Sequence, residues 1–193
     1  MTQRNFVQDF FHYVGRVRLF RPVDWSVYFV WVGLMLGLLG VVGGFILFGW
    51  WNGVAFPVYV YNVPLGTFIF VVAISIDTIG HRTVYRDDLA RGEALVHHIT
   101  IAAGISSTVL LCVTYTYRDF LWIPAYCLTA LAVFYSAIDE AMHWVRYMQG
   151  RSDRIEMWSH FFIFVGHTIM MASWIYWFEK GYPGVAETLA LLN

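Results

Sequence analysis

The sequence predicts an all-α integral membrane protein: five transmembrane helices, an N-terminal interfacial helix and a tandem parallel repeat of two helical hairpins. Three observations carry this. Of 193 residues, 59% are hydrophobic and 13% charged, and mean hydropathy is +0.59, whereas soluble domains are nearer half apolar and a quarter charged. Five apolar runs have membrane-spanning length. One polar pattern then recurs along the chain at a nearly constant offset. The whole chain, 1–193, reads as a single membrane domain.

Residues 5–22 form the expected interfacial helix. Phe6, Phe10, Val14 and Val17 recur at helical spacing, and Arg4, Arg16, Arg18 and Arg21 supply cations for lipid headgroups. Pro22 ends this segment. The first span is 27–49, closed by Trp50, Trp51 and Asn52 at the water interface. The second begins near 58, with Pro64 either kinking it or marking a later start. The third covers about 93–115, the fourth about 120–146 behind Trp122 and Pro124, and the fifth about 156–178. The tail from Glu179 is expected on the surface. Cys112 and Cys127 both fall inside apolar runs and read as packing residues, not as a disulfide. The polar, Arg-bearing start and the lack of a small-residue cleavage site after the first apolar run argue against a cleavable signal peptide.

Charge sets the orientation. With the N-terminus cytoplasmic, ten of the twelve Arg and Lys residues lie inside, and only Arg118 and Lys180 lie outside. The expected location is a cell (inner) membrane with the C-terminus outside. A net charge of −1 gives no sign of a nucleic-acid partner. The lipid bilayer is the expected partner, with room for partner subunits or a homo-oligomer.

The repeat pairs Ile76, Asp77, His81 and Tyr85 with Ile138, Asp139, His143 and Tyr147 at an offset of 62. After the loop, Arg91, Glu93 and His97 pair with Arg154, Glu156 and His160 at an offset of 63. A one-residue change in loop length costs little. Residues 58–117 and 120–178 therefore read as two copies of one hairpin, related by an axis along the membrane normal.

Each copy gives an Asp and a His at i, i+4 at the end of its first helix, and a Glu and a His at i, i+4 at the start of its second. Such pairs share a helix face. Four helix ends on the cytoplasmic side thus offer Asp77, His81, Glu93, His97, Asp139, His143, Glu156 and His160 as metal ligands, in the manner of bundle metal sites. His98 and His167 lie nearby, while Glu140 points about 100° away from Asp139. The competing reading is a network of ion pairs at helix termini, where the dipole favours Glu93 and Glu156 at N-terminal ends and His81 and His143 at C-terminal ends. Ionisable groups inside a membrane are costly and usually functional, which favours the metal. Carboxylates and imidazoles suit iron, manganese or zinc, and His-rich subsets suit copper. One ion, or two, would fit.

The stretch from Asp77 through His81-Arg82-Thr83-Val84-Tyr85-Arg86-Asp87 resembles a motif of the C subunit of copper membrane monooxygenases, the particulate methane and ammonia monooxygenase family. Asp139-Glu140-Ala141-Met142-His143 resembles that subunit's second motif, with Asp in place of Asn. The resemblance covers about 70 residues. It implies copper held by Asp77, His81 and a downstream His, a second site on Asp139, His143 and a downstream His, and work alongside partner subunits. The family's third ligand position falls here on Ala94 and Met157, three residues before His97 and His160, and Glu93 and Glu156 have no counterpart. With those extra carboxylates, a di-iron centre is the other expectation.

A redox metal beside lipid suggests a metal-dependent oxidoreductase, an O2-using monooxygenase or hydroxylase acting on an apolar or small substrate. No residue is assigned a catalytic role beyond holding metal. Two other classes remain. A metal-ion transporter would use the repeats for passage, but the outer part of the third span, Ile105 to Val113, offers only Ser and Thr as strongly polar groups. A b-type cytochrome would clamp haem between His97 or His98 and His160 or His167, which leaves the repeated carboxylates unexplained.

Overall fold

A computed structural model describes residues 5–84 and 91–193, without the side chains of Arg91, Glu93 and Ala94. The expectations placed on Arg4, Tyr85, Arg86, Asp87, Arg91 and Glu93 lie outside the described residues. All regular structure within them is helical: α1 (Phe6–Val14), α2 (Pro22–Trp51), α3 (Asn62–Thr83), α4 (Arg91–Val113), α5 (Arg118–Met148), α6 (Arg154–Glu179) and α7 (Val185–Ala190). Helices α2 to α6 contain the five segments long and apolar enough to cross a membrane.

Sequence signals mark the starts of the first helices. At α1, Asn5 caps the Gln8 amide at 2.9 Å and Gln8 returns a bond to the Asn5 amide at 3.1 Å. Pro22 occupies the first turn of α2, where its missing N–H is no loss. A 3-10 turn, Val58–Tyr61, precedes α3, so Pro64 sits in the first turn of a helix that begins late. In α2 only Asp24, Val42, Ile46 and Gly49 are buried. A helix apolar all round, with so little protein over it, needs lipid as its cover.

The two copies of the hairpin do not fold as closed hairpins. Among the described residues α3 packs most extensively on α6, and α4 on α5. The repeat maps α3 onto α5 and α4 onto α6, so these are one interface occurring twice, as a two-fold axis requires. The within-copy pairs differ among the described residues: α5 packs on α6, whereas α3 and α4 meet at the His81–His97 ring stack, 5.3 Å between centroids, and leave a gap beyond it.

Two glycines set the α3–α6 seam. A Cβ built on Gly166 would lie 2.6 Å from the Phe70 amide nitrogen and 2.8 Å from the Gly66 carbonyl oxygen. The backbones touch there, the small-residue packing that substitutes for hydrophobic drive between helices in lipid. Gly166→Ala should therefore destabilise by about 1–3 kcal/mol, because backbone atoms cannot step aside. Thermal unfolding in detergent measures this, and a wild-type midpoint would contradict the close approach.

The structure refines one expectation and corrects two. The interfacial helix α1 also packs on protein: Tyr13 is buried with Ile79 and Ile155, and Phe10, Val14 and Val17 pack beside them. The nearby arginines bind carboxylates, Arg16 to Asp153 at 2.6 Å and Arg154 to Asp9 at 2.5 Å. Helix α1 is thus strapped over the ends of α3 and α6, with Phe6 and Phe11 left exposed. The tail does not lie loose either. The Tyr182 hydroxyl donates to the Leu111 carbonyl at 2.5 Å, and Thr188 of α7 is buried beside Gly49. Cys112 and Cys127 are free and exposed rather than packed in the core.

Candidate metal centre

The i, i+4 spacing on α3 turns Asp77 and His81 to one face, with His81 Nε2 3.3 Å from Asp77 Oδ2. The same spacing on α5 places His143 Nε2 4.0 Å from Asp139 Oδ1. Across the bundle, His160 of α6 brings Nε2 to 3.2 Å from Asp77 Oδ1 and Nδ1 to 3.9 Å from Asp139 Oδ2. His97 of α4 places Nδ1 3.4 Å from Asp139 Oδ2. The coupling is crossed: the second-helix His of each repeat meets the Asp of the other. The resemblance implied one site within each repeat, and the swapped helix pairing of the fold accounts for the difference.

One nitrogen from each of His81, His143 and His160 lies within 4.8 Å of the other two. An ion about 2.1 Å from each nitrogen holds three of them about 3.4–3.6 Å apart, so the group need close by no more than about 1.4 Å. Asp77, Asp139, His143 and His160 are all buried. Among the described residues, Asp77 Oδ1, Asp139 Oδ1 and His160 Nε2 have no aligned hydrogen bond. These atoms crowd a common point without satisfying one another. Two buried carboxylates with so little compensation call for positive charge between them. A cation among the three imidazoles supplies it, and the residues fit the group.

Compared with known proteins, the chain matches no family model, no curated protein and no solved structure. Its chemistry is therefore argued from the site.

Of the eight ligands expected from the sequence, the structure gathers Asp77, His81, His97, Asp139, His143, Glu156 and His160, and Glu93 lies outside the described side chains. Glu156 is fully buried, but Arg146 engages it in an ion pair and also reaches His143 Nδ1 at 3.1 Å. Glu156 Oε1 stands 3.5 Å from that same Nδ1. A guanidinium can only donate, so His143 Nδ1 accepts from Arg146, and Glu156 acts on the ring through the Arg146 that it holds. Glu156 thus orients a ligand. His98 is exposed and outside the three-imidazole group.

Sequence reasoning passed over three groups. Arg146 enters the sequence reading only through the cation count that sets orientation, although its i, i+3 spacing from His143 is a signal. Glu140 is buried with Trp144 Nε1 donating to it at 2.6 Å. Asp24 is buried at the start of α2, where Arg82 donates to it through Nε at 2.9 Å and Nη2 at 2.5 Å. An isolated Asp ahead of an apolar run was the available hint.

The gap between α3 and α4 is part of a cavity of about 530 Å³. Asp77, His81, His97, Asp139 and His160 line it, and beyond them the lining turns apolar toward Ile105, Val109 and Met170. One face of α2, including Trp31 and Leu34, forms a wall.

Proposed function

We propose that this chain is a membrane-embedded, metal-dependent monooxygenase that hydroxylates a lipid-soluble substrate. One observation carries the reading: His81, His97 and His160, from three helices, and the buried Asp77 and Asp139 converge at one end of a mostly apolar cavity, with His143 packed behind them. A buried ion pair network would not need that cavity, and a soluble substrate would not suit it. With Glu156 held by Arg146, the donor set is richer in imidazole than in carboxylate. That favours copper over a carboxylate-bridged di-iron centre, in keeping with the resemblance to copper membrane monooxygenases.

The ion would supply O2 binding and its activation. The chain does the rest. His81, His143 and His160 hold the ion, and Asp77 and Asp139 balance its charge. Glu156 and Arg146 fix the His143 ring. The apolar cavity excludes water and admits a C–H bond. The balance is R–H + O2 + 2 e⁻ + 2 H⁺ → R–OH + H2O, with the electrons from a donor such as a membrane quinol or a partner redox subunit. The orientation proposed from the Arg and Lys bias puts the site near the cytoplasmic leaflet.

Transport is less well supported, because the carboxylates gather at one end of the cavity and only His, Ser and Thr line it beyond them. Haem is disfavoured because His81 and His143 crowd His160, where a porphyrin would need a clear plane. Turnover tests the proposal. Metal-loaded protein in nanodiscs, given a quinol and ¹⁸O2, should place ¹⁸O in alcohol products from a panel of alkanes, alkenes and alkanols. His143→Ala should abolish the product. Metal-replete protein that consumes no oxygen with any member of the panel would remove the reading.

A further inference from the structure

The cavity carries one polar group that this chemistry does not use. His167 lies on α6 seven residues beyond His160, two turns or about 10 Å farther into the bundle. It is 4% exposed, lines the cavity, and its Nε2 has no hydrogen-bond partner among the described residues. Its surroundings are apolar: the Phe70 ring lies 5.9 Å away, and Ile163 and Met170 line the same part of the cavity. Gly104 faces it without a side chain, and even a Cβ there would come within 3.8 Å of Nε2. A buried imidazole nitrogen left unpaired lowers stability, so a partner that fills the space is favoured.

We propose that His167 anchors the head of a lipid-soluble ligand: a long-chain molecule with one uncharged hydrogen-bonding group, an alcohol or a carbonyl. Its chain runs along the cavity toward His81 and His160. An imidazole nitrogen accepts from a hydroxyl or donates to a carbonyl, according to its tautomer. An anionic head fits poorly. Arg82 is the cation among the described lining residues, and it sits at the metal end against Asp24. The volume, about 530 Å³, is that of a small-molecule site. Entry is from the bilayer. Among the described residues α2 packs on α3 and α7 but makes no comparable contact with α4, so the seam between α2 and α4 opens toward hydrocarbon.

Anchoring does not require the metal. Only the placing of the reacting carbon rests on the monooxygenase reading, under which a carbon about 10 Å from the head meets the metal residues. Chain position would then set where the hydroxyl enters, by the reaction balanced above.

Photolabelling tests the anchor. Full-length protein in nanodiscs is irradiated with a long-chain alcohol bearing a diazirine, and the labelled residues are mapped. Label is expected on cavity residues of α2 and α4, such as Leu34 and Ile101. 1-Decanol should compete at a concentration about tenfold below that of n-decane, the worth of one hydrogen bond. His167→Gln should keep the preference for alcohol. His167→Phe and His167→Leu, each checked for folding by size exclusion, should bring the two competitors within about twofold. Label confined to residues outside the cavity, equal competition in the wild type, or an alcohol preference that survives both apolar substitutions would overturn the anchor. Labelling of His143→Ala keeps the two proposals apart. Cavity label that persists after metal is lost upholds the anchor without bearing on oxygen chemistry. Metal retained without cavity label removes the anchor alone.

Discussion

His143→Ala should weaken metal binding by at least about 100-fold, the upper end of what losing even an outer-sphere partner costs. His143 is one of three imidazoles that meet, it is buried, and its Nδ1 accepts from Arg146, which Glu156 holds. Alanine leaves two imidazoles and opens a polar hole in their place. His81→Ala and His160→Ala should behave alike, because the three nitrogens share one point and each supplies one bond. His97→Ala should be milder, nearer about tenfold, since His97 touches Asp139 but lies outside the three-imidazole group. Chelator competition, with metal analysis of each purified chain, measures the series. Bound copper would agree with the imidazole-rich set, whereas about two irons per chain would favour carboxylates and require Glu93 or Glu140 to take part. Unchanged affinity in His143→Ala would sink the assignment, since a site elsewhere would then be holding the ion.

What the sequence disclosed, and what it withheld, follows from the kind of information each residue carries. Apolar run length identifies a membrane helix from the chain alone, and all five spans are found within a few residues of their expected limits. The i, i+4 pairs were also readable, because helical geometry fixes which side chains share a face. Helix neighbours were not. Short loops suggest that α3 folds back on α4, whereas the close approach of Gly66 and Gly166 seats α3 on α6. A glycine in an apolar helix is too common to announce that. The same gap in knowledge hid the partners of Arg146 and α1. A count of cations tells which side of the membrane a loop occupies but not which carboxylate a guanidinium finds. Periodicity marks an apolar face without saying whether protein or lipid will cover it. Glu156 matched the repeat and so was grouped with the ligands. Its partner Arg146 corresponds to Val84 in the first copy, so the repeat could not reveal it.

Arg146→Met should destabilise the fold by about 3–5 kcal/mol, the cost of stranding a buried charge. Glu156 has no exposed side-chain surface, whereas Arg146 keeps 14% of its own. The consequences of breaking the pair are therefore unequal. Without Arg146, a carboxylate in the bundle interior must either stay charged and unpaired or take up a proton, and its grip on His143 changes in both cases. Glu156→Gln leaves a guanidinium that can still turn toward headgroups and water, so it should cost less. The double variant Arg146→Met/Glu156→Gln should recover much of the loss, because no uncompensated charge remains. A shift of this size moves a midpoint by on the order of 10 °C in a chain this long, which thermal unfolding in detergent resolves readily. Metal content then separates structure from ligation. If Glu156 orients His143, Glu156→Gln should weaken metal binding by about 10-fold to 100-fold. If it binds the ion directly, the loss should match that of His143→Ala. An Arg146→Met chain as stable as wild type would mean that the carboxylate was compensated by something other than Arg146, with the ion itself the first candidate.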